Sequence, residues 1–293
     1  MSDQLPDYPI SQLPDLRSAS AIGRRARLEL VFEARGSRTV VAHAYAEPPF
    51  RISRSFDVDG AAYVILVCSG PGVFAGDALD LSIRVRSGAR VILASQSALQ
   101  VHPSAASCPA LIRHRYIVEE GGELQAHWDP VIPFAAARLD QRFDLQVDEG
   151  SRVYWSDALM SGRVNRGEAW AFDSVAHELR LHVGTSLKYL ERYTLRPSER
   201  SMPHPWVGGS THYMATALTH HDGVNPETAE LLQRAIETDG AGRVRVGVDL
   251  LEPRLVVGRL SASCGAPFAA VRASYQRLVM LSIFDRPLQL LRK

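Results

Sequence analysis

The sequence predicts an all-β dominated protein: a β-helix-like stack of hairpins or layered sheets, with two α-helices in the C-terminal third. Three observations carry this. Residues from about Arg27 to Leu195 fall into short runs of β character. A strand, Gly turn, strand layout recurs along them. Helical periodicity enters only after Asn225.

The first twenty-two residues are polar and broken by Pro6, Pro9 and Pro14. They have neither the basic start nor the apolar middle of a secretory signal, and read as a flexible tail (1–22). Residues 23–293 are expected to form a single β-rich domain. Within it, Leu79 to Val85 alternates apolar and polar residues, as does Leu139 to Val147. Period two marks a strand with one buried face. Tyr63 to Cys68 is continuously apolar and is expected to be buried on both faces.

The segments IRVRSGARVILAS, RYIVEEGGELQAHW and LQVDEGSRVYWSD share one layout, with Gly88, Gly121 and Gly150 aligned at separations of 33 and 29 residues. Gly accepts the positive φ of tight turns, and weaker copies stand at Gly36 and Gly184. Repetition on this scale predicts stacked units of the solenoid kind, with an antiparallel meander as the alternative.

Asn225 and Pro226 form a cap and a first helical residue, and Leu231, Leu232, Ala235 and Ile236 form a stripe, so a helix is expected over about 226–238. A second stripe, Phe268, Val271, Tyr275, Leu278 and Val279, predicts a helix over about 267–282. Arg243 to Leu260 reads as two strands, and the Pro/Gly/Ser-rich residues 197–211 as a loop.

Composition narrows function. Hydrophobic residues at 46% and charged residues at 22% are ordinary for a chain with a real core. A net charge of +1 argues against a nucleic-acid or membrane-surface binder. Lys188 and Lys293 are the only lysines, so the positive charge is nearly all arginine, a residue enriched at protein interfaces. No segment reaches the roughly 20 apolar residues that span a bilayer. Cys68, Cys108 and Cys264 are far apart, which argues against a disulfide framework or a structural zinc site. These features together predict a cytoplasmic protein.

No phosphate loop, nucleophile elbow or HExxH motif is present. The Gly-rich stretch at 69–77 has the wrong spacing for a dinucleotide loop and leads into a strand, not a helix. His177 and His182 flank Glu178, but their odd separation points them to opposite faces of a strand, as solvated or capping histidines. His220, His221 and Asp222 read as a loop with weak metal-ligand character. Asp77 and Glu168 each end a Gly-containing turn, where turn chemistry and function are both open readings.

Several stretches together resemble the urease accessory protein UreD (UreH) family. Pro71 to Asp77, with Gly72 and Gly76, resembles its GGxxGGD-like element. Gly88 to Gln96 resembles its GARVxxTTQ strand, and Ile132-Pro133-Phe134 with Ala137-Arg138 its IPFxxAR element. Gly162-Arg163 with Arg166-Gly167-Glu168 resembles its GRxxxGE turn, and Leu255 to Leu260 a late strand. The sequence departs at Pro71 and Ala75, which replace glycines, and at Gln100 and His102, which stand for Lys and Tyr. The resemblance implies a layered β-helix-like fold with two late helices. It also implies a non-enzymatic urease maturation chaperone that binds apo-urease, UreF and the GTP-binding UreG, with dimeric assembly in the complex. The protein would then hold no tight cofactor and hand on nickel transiently through an internal channel. Asp77 and Glu168 become candidates on the nickel path, and Gly72, Gly76, Gln96, Arg138, Gly162 and Arg163 candidates for the motif turns and the partner surface. A β-helical or sandwich carbohydrate hydrolase and a purely structural β module are the alternatives.

Overall fold

The computed structural model describes residues 23–104, 108–240 and 242–287, so the tail expected at 1–22 lies outside the described residues. The chain opens with β1 (Arg25–Arg35), β2 (Arg38–Ala46), β3 (Phe50–Ile52), β4 (Phe56–Val58) and β5 (Ala61–Cys68). It continues through β6 (Ala78–Val85), β7 (Arg90–Ser95), β8 (Leu99–Val101), β9 (Ala110–Val118), β10 (Glu123–His127) and β11 (Val131–Pro133). There follow β12 (Arg138–Val147), β13 (Arg152–Met160), β14 (Ser174–Val183), β15 (Ser186–Leu195) and β16 (Tyr213–His220). Helix α1 (Pro226–Gly240), β17 (Val244–Glu252), β18 (Leu255–Ala262) and helix α2 (Gly265–Ser282) close it.

Two sheets face each other. One runs β15-β14-β12-β9-β6-β1-β2; the other follows the path β17-β18-β16-β13-β10-β7-β5-β3. Within the first, β6, β9, β12 and β14 pair in parallel; within the second, so do β5, β7, β10 and β13. The chain crosses from the first sheet to the second at each aligned glycine turn, so successive units lie on one another as coils. Parallel pairing excludes the meander, whose neighbours would run antiparallel. Antiparallel hairpins close each end of the coil stack. They turn at Gly36 and Gly184, so these two weaker copies are hairpins within one sheet rather than coil turns.

The three aligned glycines do not share one conformation. Gly88 and Gly121 have φ of 69° and 68°. Gly150 lies outside the left-handed region; its N–H donates to Glu120 Oε2 at 3.0 Å, and a Cβ there would stand 1.8 Å from the Glu120 carboxylate. No positive φ requires glycine there, and the Glu120 carboxylate is the far end of an exposed, flexible side chain.

The inward faces of the sheets, with Leu30, Ile83, Tyr116 and Leu145 opposite Leu93, Leu124 and Trp155, form the main core. A second core lies between the other sheet's outer face and the helices, around Tyr154, Leu232, Ile236, Tyr275 and Val279. Strand β5 is buried on both faces only from Ala61 to Val64, where Phe56 of β4 packs near Tyr63; Val67 and Cys68 are half-buried.

Asn225 caps α1 by accepting from the Thr228 N–H at 2.9 Å, and Thr228 Oγ1 accepts from the Asn225 N–H at 3.0 Å. Leu231 is exposed, outside the buried stripe of Ala229, Leu232 and Ile236. Helix α2 begins at Gly265, two residues ahead of the expected start, and buries Phe268, Val271, Tyr275 and Val279. Residues 197–211 form successive turns, pinned by the buried Met202. Among the described residues, no helix is long and apolar enough to cross a membrane.

Candidate functional site

The motif residues gather at one end of the coils. Asp77 is 1% exposed. Its Oδ1 accepts from the Arg24 N–H at 2.8 Å, and its Oδ2 from Arg24 Nη2 at 3.1 Å and from the Phe74 N–H at 3.0 Å. This carboxylate holds a turn together. Gly72 has φ +131° and lies so close to β8 that a Cβ would come 2.2 Å from the Gln100 carbonyl oxygen. Gly76 has φ +79°, and its N–H donates to the Pro109 carbonyl at 3.2 Å.

Glu168 sits after a short 3-10 turn at Val164–Arg166. Arg163 Nε donates to its Oε2 at 2.7 Å, and Arg163 Nη2 donates to its Oε1. These hydrogen bonds hold the Glu168 carboxyl below the usual range. Gly162 lets the turn close, since a Cβ there would stand 2.3 Å from the Glu168 carbonyl oxygen. Arg138 is tied instead to Asp173, Nε donating to Oδ2 at 3.0 Å.

A row of rings joins the two carboxylates. The Arg24 guanidinium lies 5.9 Å from the Phe74 ring centre. Phe74 stacks on His102 at 4.4 Å, His102 meets the edge of Phe134 at 4.9 Å, and Arg163 lies over Phe134 at 3.9 Å. The departures Pro71 and His102 touch each other, His102 Nε2 lying 2.8 Å from the Pro71 carbonyl oxygen.

Beneath this face a cavity of about 180 Å³ enters between the sheets. Gly72, Gln96 and Gln100 line it, as do the buried Gln141 and Asp157. A second cavity, about 500 Å³, lies between β15 and strands β16 to β18, and Asp157 lines it too. Around Asp157 the apolar core gives way to polar groups. Gln141 and His177 pair across β12 and β14, with Gln141 Nε2 2.7 Å from His177 Nδ1, and Asp157 pairs with Thr216 across β13 and β16.

Desolvation dominates here. Burial, followed by repulsion from Glu191, pushes Asp157 up to about 8. Burial pulls His177 down to about 4 and His114, in the first cavity's wall, down to about 3. At neutral pH the imidazoles are uncharged, each with one unprotonated ring nitrogen, the form in which imidazole ligates metals.

The reading of His177 as solvated or capping is overturned: it is 2% exposed, because β14 points it into the inter-sheet space. His182 lies on the opposite face, half-buried. His220 is not in a loop but ends β16, 4% exposed. It pairs with Val153 while Met160 pairs with Tyr213, which puts it seven strand positions, about 23 Å, from the Met160 end of β13 that leads into the Gly162 turn. Burial lowers His221, whose Nδ1 accepts from the Gly223 N–H at 2.8 Å. Asp222 Oδ1 pairs with Arg254 at 2.5 Å. Among the described residues, no three His, Cys, Asp or Glu side chains gather as a metal cluster. Sequence reasoning missed Asp157, His177 as an interior group, and Glu191. The available clue was an acid at position 157 in line with Val153, Trp155 and Leu159, the apolar face of β13.

The sequence profile of the UreD urease accessory protein matches residues 24–292. A urease accessory protein UreD from Sorangium cellulosum (strain So ce56) is 35% identical over 199 residues, covering 67% of this chain and 62% of that one. One from Lysinibacillus sphaericus (strain C3-41) is 30% identical over 184 residues, covering 61% and 67%. One from Deinococcus radiodurans is 29% identical over 202 residues, covering 68% and 72%. The matched region thus spans between about three fifths and three quarters of these relatives' own length. With the profile running across nearly the whole described fold, from the Asp77 turn through the Glu168 turn to α2, this chain belongs to the UreD urease accessory protein family.

Proposed function

We propose that this chain is a urease maturation chaperone: a non-catalytic scaffold that binds apo-urease together with UreF and UreG and helps nickel reach the urease active site. It works in the cytoplasm, assembles as a dimer within the larger complex, and holds nickel only in passing, as cargo.

The observation that supports this most is Asp157, a buried carboxyl in the wall of both cavities, with the family membership behind it. A relay for a borderline cation needs donors that bind and then let go. Carboxyl and imidazole groups in an otherwise apolar interior meet that need. Asp77 and Glu168 take a different part in this reading. Each is already engaged by arginine and backbone donors, so they shape the motif face around Phe74, His102 and Phe134. That face offers aromatic and arginine groups of the kind that anchor protein interfaces.

The same engagement disfavours the hydrolase alternative, in which two carboxyl groups must stand free on either side of a sugar.

The test is co-expression of urease subunits, UreF and UreG with and without this chain, followed by urease activity after nickel addition. Activity and co-purification that depend on the chain support the reading. Full activation without it, and no complex, would refute it.

A further inference from the structure

The second cavity opens at the end of the coil stack, between β15 on one side and β16, β17 and β18 on the other. Glu191 stands at this mouth with its carboxylate contacted by three side chains. Tyr189 Oη donates to Oε2 at 2.5 Å, and Thr216 Oγ1 donates to Oε1 at 3.3 Å. Arg259 Nη2 reaches Oε2 at 3.4 Å and also donates to Tyr189 Oη at 3.0 Å. Burial is lopsided: the Glu191 side chain is 15% exposed and that of Arg259 is 55% exposed. A cation at this mouth therefore meets a guanidinium first, and behind it a carboxylate held by Tyr189 and Thr216.

Two further features concern what can approach Arg259. Arg245 is exposed on the same rim, so two guanidinium groups face solvent over one internal carboxylate. Gly247 pairs directly with Arg259 across β17 and β18. A Cβ at Gly247 would meet nothing within 4 Å, so the space over Arg259 is open on that side. Cross-strand neighbours of this kind have Cβ atoms about 5 Å apart, within reach of an ion pair.

We infer that Arg259 is a latch over Glu191, opened when an Asp or Glu side chain of a docking protein partner takes the guanidinium and leaves Glu191 free to receive a cation. The inference rests on the nickel-path reading above. Its chemistry is an exchange of carboxylates. Arginine's planar fork prefers a bidentate carboxylate, and a carboxylate offered over Gly247 meets it with that geometry, whereas Glu191 accepts only one weak contact from it. Cation access through this mouth is thereby tied to docking.

The test uses the full chain, with Ni²⁺ alone competed against a metallochromic indicator. Arg259→Gln is expected to tighten Ni²⁺ binding about tenfold by removing the charge, a change of about 1.4 kcal/mol. Gly247→Glu, which sets a carboxylate opposite Arg259, is expected to do the same, and Gly247→Gln to do nothing. In an Arg259→Gln background, Gly247→Glu should add nothing. A gain that persists there would mean the new carboxylate ligates the metal itself, and would overturn the latch. Retention on immobilised hexaglutamate peptide should be lost in Arg245→Gln/Arg259→Gln; unchanged retention would overturn the acidic partner. Asp157→Leu separates the two readings. If it abolishes Ni²⁺ binding while Arg259→Gln changes nothing, the path stands and the latch falls. If neither variant alters binding, the path itself falls.

Discussion

Asp157 and His177 face each other from opposite sheets, His177 Nδ1 lying 3.9 Å from Asp157 Oδ2. At that distance an ion pair is geometrically available, yet burial raises the acid to about 8 and lowers the base to about 4, so both are uncharged at neutral pH. The cost of desolvating two charges exceeds their attraction, the usual balance in a dry interior.

The pair makes stability depend on pH in a defined way. Asp157 has its folded pKa raised, so above its unfolded value, about 4, the unfolded chain binds fewer protons and stability falls as pH rises toward about 8. His177 has its folded pKa lowered, so stability rises between about 4 and its unfolded value of about 6.5. The two oppose each other below about 6.5, and only the Asp157 contribution remains from there to about 8. Thermal melts should therefore show stability declining between pH 6.5 and 8 by an amount that Asp157→Asn largely removes. An unchanged slope in the variant would contradict the assignment.

Asp77 and Glu168 separate when each is truncated. Asp77→Ala leaves the Arg24 and Phe74 N–H groups without their acceptor. A cost of about 2–4 kcal/mol is expected, lowering Tm by about 5–10 °C. Glu168→Ala breaks a part-buried contact with Arg163 and should lower Tm less than Asp77→Ala while weakening retention of partners. Melting curves and co-purification measured on both variants check the distinction.

Two glycines give opposite expectations. Gly72→Ala meets both a φ of +131° and the Gln100 carbonyl at 2.2 Å, and should cost about 3 kcal/mol or more. Gly247→Ala meets open space at an ordinary φ and should leave the midpoint of urea unfolding unchanged or slightly higher.

The fold was legible where the sequence repeats a physical requirement. The layout around Gly88, Gly121 and Gly150 gave the stacking, and the Asn225-Pro226 cap gave the start of α1. What stayed hidden depends on pairing between distant segments. The hairpins at Gly36 and Gly184 look like coil turns until the strand directions are known. The placement of His177 beside Gln141 and opposite Asp157 comes from registers linking residues far apart in the chain, which no local pattern encodes. Asp77 and Glu168 were legible as turn residues, and the arginine contacts that occupy them were not.

The central claim is that nickel reaches urease by way of the interior around Asp157. The most direct measurement is nickel bound per urease active site after maturation with the wild-type chain and with Asp157→Leu, which sets an apolar side chain in the wall of both cavities. With fold and partner binding intact, the account predicts that the variant leaves urease nearly free of nickel. Full nickel loading by Asp157→Leu would contradict it.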